Sequence, residues 1–330
     1  MTYLLLILGL VLVVVGAEFL VDGSSSIARK AGLSEFVIGL TIVGIGTSTP
    51  EMVVSFSGAI KGISDVAVGN ILGSNIFNVF LILGVTALIM PIPMTKSNVN
   101  VDSVLNIIVT SLLIIFGLSY SICEFFGIED NMAFLVGHEN MLTRASGIIF
   151  LLLFAAYMLK SFKIGRKQAV ETPEAPEKEK SLFLSVILVI LGLAGLIYGG
   201  NLFVDKAVEI AKANGISEKF IAVTILAGGT SLPELVTCIV AAAKKKGQLA
   251  LGNILGSNIS NILLILGGAA VIHPLSFTGM TTVDLVAIMA SSIMIWLCAF
   301  TFNKRCIDRF DGILFLLCEA AYMAYLIVKL

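Results

Sequence analysis

Residues 18–84 recur as residues 201–267 at a constant offset of 183, with no gap and with roughly half of the positions identical. A chain built on such a duplication folds as two related halves, and what each half becomes depends on the solvent it meets. Of the 330 residues, 58% are hydrophobic and only 13% are charged, with a mean hydropathy of +1.03. That balance belongs to a chain solvated by lipid. Ten apolar stretches approach or exceed the length that crosses a hydrocarbon core of about 30 Å: residues 3–27, 38–60, 67–90, 101–122, 144–160, 181–208, 220–243, 249–272, 281–302 and 311–328. Five fall in each half, and an odd number makes the two copies enter the membrane in opposite directions. The expected fold is therefore an all-α polytopic membrane protein with ten transmembrane helices in two inverted five-helix repeats.

The segment from Lys160 to Lys180, "KSFKIGRKQAVETPEAPEKEK", is charged, contains two prolines and has almost no apolar periodicity. It reads as a flexible linker, which sets the first repeat at residues 1–160, the linker at 161–180 and the second repeat at 181–330. On this assignment the linker side carries 15 of the 21 Lys and Arg, among them Arg29, Lys30, Lys96, Lys244–Lys246, Arg305 and Arg309. The linker is thus expected on the cytoplasmic side and both termini outside. The first residues lack a basic start and run into Glu18 and Asp22, so a cleaved signal peptide is not expected.

Several function classes recede on composition. A formal net charge of -1 offers no concentrated basic face for nucleic acid. The five cysteines are scattered without CxxC spacing, and His138 and His273 stand alone, so neither a disulfide framework nor a soft-metal cluster is expected. There is no HExxH and no Ser/His pair within the spans, which leaves little for an intramembrane enzyme. An organic cofactor and an obligatory protein partner are not expected either.

The repeated segments carry the chemistry. "GTSTPE" (Gly46–Glu51) and "GTSLPE" (Gly229–Glu234) place a proline and a carboxylate inside apolar spans. Pro50 and Pro233 have no N–H and clash with the carbonyl four residues back, so the carbonyls around Gly46 and Gly229 need another partner, such as a cation. Thr47, Ser48 and Glu51, with Thr230, Ser231 and Glu234, supply oxygen only, which favours hard cations over transition metals. A carboxylate buried in lipid is costly unless neutralised. No Lys or Arg lies in these spans to do so, which leaves a metal ion or a proton.

A second element, "GNILGSNIFN" (Gly69–Asn78) and "GNILGSNISN" (Gly252–Asn261), sets Asn70, Ser74 and Asn78 on one helix face, and Asn253, Ser257 and Asn261 likewise. Ser74, Asn78, Ser257 and Asn261 are expected to line the site. Asn70 and Asn253 suit lining and bracing equally, while the Gly69/Gly73 and Gly252/Gly256 pairs form close-packing surfaces. Asp22 and Asp205 are equivalent but lie toward the membrane ends.

These two motif pairs resemble the alpha-repeats of the sodium/calcium exchanger branch of the cation/calcium antiporters. The resemblance covers nearly the whole chain. It implies antiport of calcium against sodium by alternating access, typically three sodium ions per calcium ion, with the first and sixth helices sliding across a more rigid core. It also implies a ligand set of Thr47, Ser48, Glu51, Ser74, Asn78, Thr230, Ser231, Glu234, Ser257 and Asn261, with backbone carbonyls at Gly44 and Ala227. In many members the position of Asn261 is an aspartate, so this centre has two carboxylates. Calcium/proton exchange is the alternative, since Glu51 and Glu234 can each carry a proton. The linker is too short for calcium-sensing domains, and the compact chain points to a prokaryotic inner membrane.

Overall fold

A segment surrounded by hydrocarbon must satisfy its backbone N–H and C=O groups internally, and for these apolar runs the helix is the local solution. The computed structural model describes residues 1–127, 137–171, 180–215, 227–301 and 305–329. The helices are α1 (Thr2–Ala31), α2 (Glu35–Thr47), α3 (Thr49–Ile60), α4 (Ser64–Ile89), α5 (Asn98–Gly117), α6 (Ser119–Phe126) and α7 (Arg144–Glu171), followed by α8 (Leu182–Ala213), α9 (Ala227–Gly229), α10 (Leu232–Ala243), α11 (Gly247–Ile272), α12 (Thr282–Phe300) and α13 (Arg309–Lys329). Among the described residues, eight are long and apolar enough to cross a membrane, and nine spans result if α2 and α3 count as one. The remaining expected span, 220–243, lies partly outside the described residues, and its described part is α9 with the short α10.

The α2–α3 break is written in the sequence. Pro50 sits in the first turn of α3, Ser48 separates the two helices, and their axes meet at 49°. Helix α7 continues to Glu171, over the first part of the segment read as linker. Residues 160–171 contain no proline, and Pro173 is the first residue there that cannot continue a helix.

Burial separates a centre from a periphery. In α11, 83% of the span is buried, and in α4 72%, against 33% in α1 and 28% in α8. Both central helices widen into a π-helical segment, Asn78–Leu83 in α4 and Asn261–Leu266 in α11, a distortion that often marks functional sites. Around them, α1 and α8 pack along much of their length on small residues. A Cβ on Gly16 would lie 2.7 Å from the Leu196 backbone nitrogen and 2.8 Å from the Gly192 carbonyl, so the two backbones meet directly. Helix α11 crosses α2 in the same way, with Gly256 against the backbone of Leu40.

Two-residue antiparallel bridges tie the loops of one half to those of the other. β1 (Ile92–Pro93) pairs with β4 (Cys306–Ile307), and β2 (Met141–Leu142) with β3 (Leu275–Ser276). Ion pairs add to this where helices end: Asp22 of α1 meets Lys244 at 2.7 Å and Lys180 at 3.0 Å, and Glu35 at the start of α2 meets Lys246 at 2.9 Å. Asp205, the repeat equivalent of Asp22, is exposed on α8.

A candidate cation centre between the two halves

The chain break at Ser48 brings Glu51 into the first turn of α3, and the equivalent break at Ser231 brings Glu234 into the first turn of α10. Both carboxylates are 1% exposed. Each is held from the other half of the chain. Ser48 Oγ donates to Glu234 Oε1 at 3.0 Å, and Ser231 Oγ donates to Glu51 Oε1 at 3.2 Å. Ser74 Oγ also donates to Glu51 Oε1, at 3.3 Å. The second oxygen of each carboxylate, Oε2, is buried without a hydrogen bond, and so is Thr230 Oγ1.

Residues of the central helices close this network. Ser257 Oγ donates to the Gly44 carbonyl at 3.1 Å, and Thr47 Oγ1 donates to Asn253 Oδ1 at 3.2 Å, with the Gly44 carbonyl 3.4 Å away. Asn70 donates to the Glu51 backbone carbonyl at 3.2 Å and to Ser55 Oγ at 3.0 Å, and Asn253 points its Nδ2 at Cys238 Sγ, 3.2 Å away. Of the two uses the sequence leaves open for Asn70 and Asn253, bracing is the one these contacts describe. One helical turn beyond Ser74 and Ser257, Asn78 and Asn261 open the two π-helical segments. Their side-chain oxygens are buried and unpaired. Ala227 opens the short turn α9, three residues before Thr230.

The Gly46 carbonyl, released by Pro50, finds the partner it was expected to need in the Thr49 hydroxyl, at 2.7 Å. A threonine one residue before the proline supplies the donor that the ring removed. Two residues escaped the helix-face pattern: Asn75 and Asn258, which bond across to the opposite half at 2.9–3.4 Å. Their signal was present in the sequence, since both follow the serine of the repeated "GSNI" run.

Chemically, the assembly offers two carboxylates, several hydroxyls and two amide oxygens. Among the described residues no group of three or more His, Cys, Asp or Glu gathers that could hold a metal ion. Any cation here is therefore met mainly by neutral oxygen, with two negative charges. That is a donor set for a hard ion such as calcium or sodium.

Comparison with known proteins agrees with this chemistry. The model of the sodium/calcium exchanger protein family matches residues 1–163 and 184–329. The putative antiporter CaxA of Alkalimonas amylolytica is 36% identical over 324 residues, covering 96% of this chain and 95% of its own. The sodium/calcium exchanger MaX1 of Methanosarcina acetivorans is 32% identical over 345 residues, covering 99% and 97%. The solved structure of the sodium-calcium exchanger NCX_Mj, soaked with sodium and calcium, superposes with a TM-score of 0.80 at 31% identity, covering 98% of this chain and 97% of that one. With matches across both halves and over nearly its whole length, the chain belongs to the sodium/calcium exchanger family.

Proposed function

We propose that this protein exchanges calcium for sodium by alternating access at a single centre between Glu51 and Glu234. Family membership makes it a membrane-embedded cation/calcium antiporter; the coupling ion and the cycle are what the proposal adds. The observation that carries it is the pair of buried carboxylates, each bonded to a serine of the opposite half and each with Oε2 unpaired. A buried carboxylate oxygen without a partner is costly, and a bound cation offsets that cost. The ion is held by Thr47, Ser48, Glu51, Ser74 and Asn78, by their counterparts Thr230, Ser231, Glu234, Ser257 and Asn261, and by carbonyls at Gly44 and Ala227. The reciprocal serine bonds support two inverted five-helix repeats, since each bond has a mate at an offset of 183. The direct backbone contact of α1 with α8 supports their sliding as a pair over the α4–α11 core.

Charge sets the ratio. Two carboxylates are neutralised by one calcium ion or by two monovalent cations, and an excess charge in a site excluded from water is expensive. Asn261 in place of a carboxylate therefore favours two sodium ions per calcium ion. The same count suits two protons, which makes calcium/proton exchange the second reading. The proposal includes a prokaryotic plasma membrane, which the bacterial and archaeal relatives support, and both termini outside, which the Lys and Arg bias toward the linker side supports. Radiolabelled calcium uptake into proteoliposomes separates the coupling ions. Uptake driven by internal sodium at equal pH supports sodium exchange; uptake driven by a pH gradient without sodium transfers the proposal to protons.

A further inference from the structure

We infer that Asn75 and Asn258 are positioning residues that decide which atom of each centre amide faces the cation, each acting on the asparagine of the opposite half. The inference rests on the proposal that Asn78 and Asn261 line the centre. An asparagine side chain has nearly the same shape with its oxygen and nitrogen exchanged, yet the two orientations are opposite for a cation: one presents an acceptor, the other an N–H donor. A carboxylate has no such ambiguity. A centre that uses amides needs something to fix them.

The hydrogen bonds fix them by elimination. A backbone carbonyl only accepts, so the Asn75 atom 3.0 Å from the Asn258 carbonyl is the donor Nδ2. The other Asn75 atom is then the acceptor Oδ1. The Asn261 atom 2.9 Å from it must be the donor Nδ2, which leaves Asn261 Oδ1 as the free atom. The mirror-related sequence runs from the opposite side. Asn258 Nδ2 donates to the Asn75 carbonyl at 3.4 Å, Asn258 Oδ1 accepts from Asn78 Nδ2 at 3.0 Å, and Asn78 Oδ1 is free. All four side chains are buried, and neither free oxygen has a hydrogen-bond partner. Two backbone carbonyls thus set the polarity of two amides on their own helices, each through an asparagine of the facing helix, and the nitrogens of Asn78 and Asn261 are turned to that asparagine while their oxygens are left free.

The pattern is crossed, and that makes it separable from ordinary packing. Asn75 and Asn78 lie within one turn of α4, but the bonds join Asn75 to Asn261 and Asn258 to Asn78. The test is equilibrium binding of radiolabelled calcium to the purified full-length protein, with Asn75→Ala, Asn258→Ala, Asn78→Ala, Asn261→Ala and their double variants. Removing a group that orients a metal ligand typically weakens affinity by about 10–100-fold, and each of Asn75→Ala and Asn258→Ala is expected to do so. In the crossed pairs Asn75/Asn261 and Asn258/Asn78, the double variant should bind no more weakly than the ligand variant alone. In the same-helix pairs Asn75/Asn78 and Asn258/Asn261, the losses should multiply. If alanine variants do not yield monodisperse protein, serine at positions 75 and 258 keeps a buried donor and acceptor yet stops short of the other helix, and should give the same crossed pattern. Multiplying losses in the crossed pairs, or coupling within one helix instead, would overturn the inference while leaving the cation centre intact. Unchanged binding in both Asn78→Ala and Asn261→Ala would remove the two amides from the centre, and the inference with them.

Discussion

Glu51 and Glu234 differ from Asp22 and Glu35, the carboxylates that tie one half of the fold to the other through ion pairs, in what holds them. Asp22 has two lysines and Glu35 has Lys246, whereas the two centre glutamates receive neutral hydroxyls and keep one oxygen each unpaired. A lysine would fix the charge balance permanently; hydroxyls leave it to be settled by an ion. Hydrogen bonds to charged groups contribute about 1.5–3 kcal/mol, so Ser48→Ala and Ser231→Ala should each weaken calcium binding by roughly tenfold or more. The two losses should be similar, and a titration showing that only one serine matters would break the reciprocity. The Glu35–Lys246 pair is the structural counterpart. Lys246→Met should destabilise the protein by about 3–5 kcal/mol by leaving a buried carboxylate uncompensated, while Glu35→Leu with Lys246→Met should recover most of that loss. Thermal unfolding in detergent compares them, and equal damage from both would show that the lysine acts through other contacts.

At the scale of elements, the broken span and the glycine crossings position the centre. The Gly256 Cα has the Leu40 Cα within 2.6 Å of where a Cβ would go, so Gly256→Val should push α11 off α2. Overpacking costs about 1–3 kcal/mol, and the loss of thermal stability should be accompanied by weaker calcium binding, since Ser257 and Gly44 face each other there. Stability and binding both unchanged in this variant would contradict the close crossing. Much of this level was legible in the chain: the spans follow from composition, the break from Pro50, and the tight crossing from the Gly252/Gly256 spacing. What a single helix pattern does not carry is contact between two helices. Asn75 and Asn258 fall one residue off the stripe that holds Ser74 and Ser257, so periodicity passed over them, although their partners lie at equivalent places in the other half. The fate of the Gly46 carbonyl depended on the Thr49 rotamer, which no spacing rule specifies.

At the scale of the whole molecule, duplication explains why the candidate centre comes in pairs, two carboxylates each bonded to a serine of the other half and two unpaired amide oxygens, between which the proposal sets one divalent ion. A net charge of two negatives is matched by one calcium ion or two monovalent cations, so calcium flux should be nearly insensitive to an imposed membrane potential, measured with potassium and valinomycin in proteoliposomes. Replacing Asn261 with Asp should add a third ionisable group and with it a dependence on potential. A strong potential dependence in the unaltered protein would instead indicate a third coupled cation. The most direct test of the central claim is the number of calcium ions bound per chain, by calorimetric titration of the protein and of Glu51→Gln and Glu234→Gln. One site per chain, lost in either single variant, is the outcome expected of a centre shared by both halves. Two sites, or a variant that loses only half of the binding, would mean that each half binds its own ion.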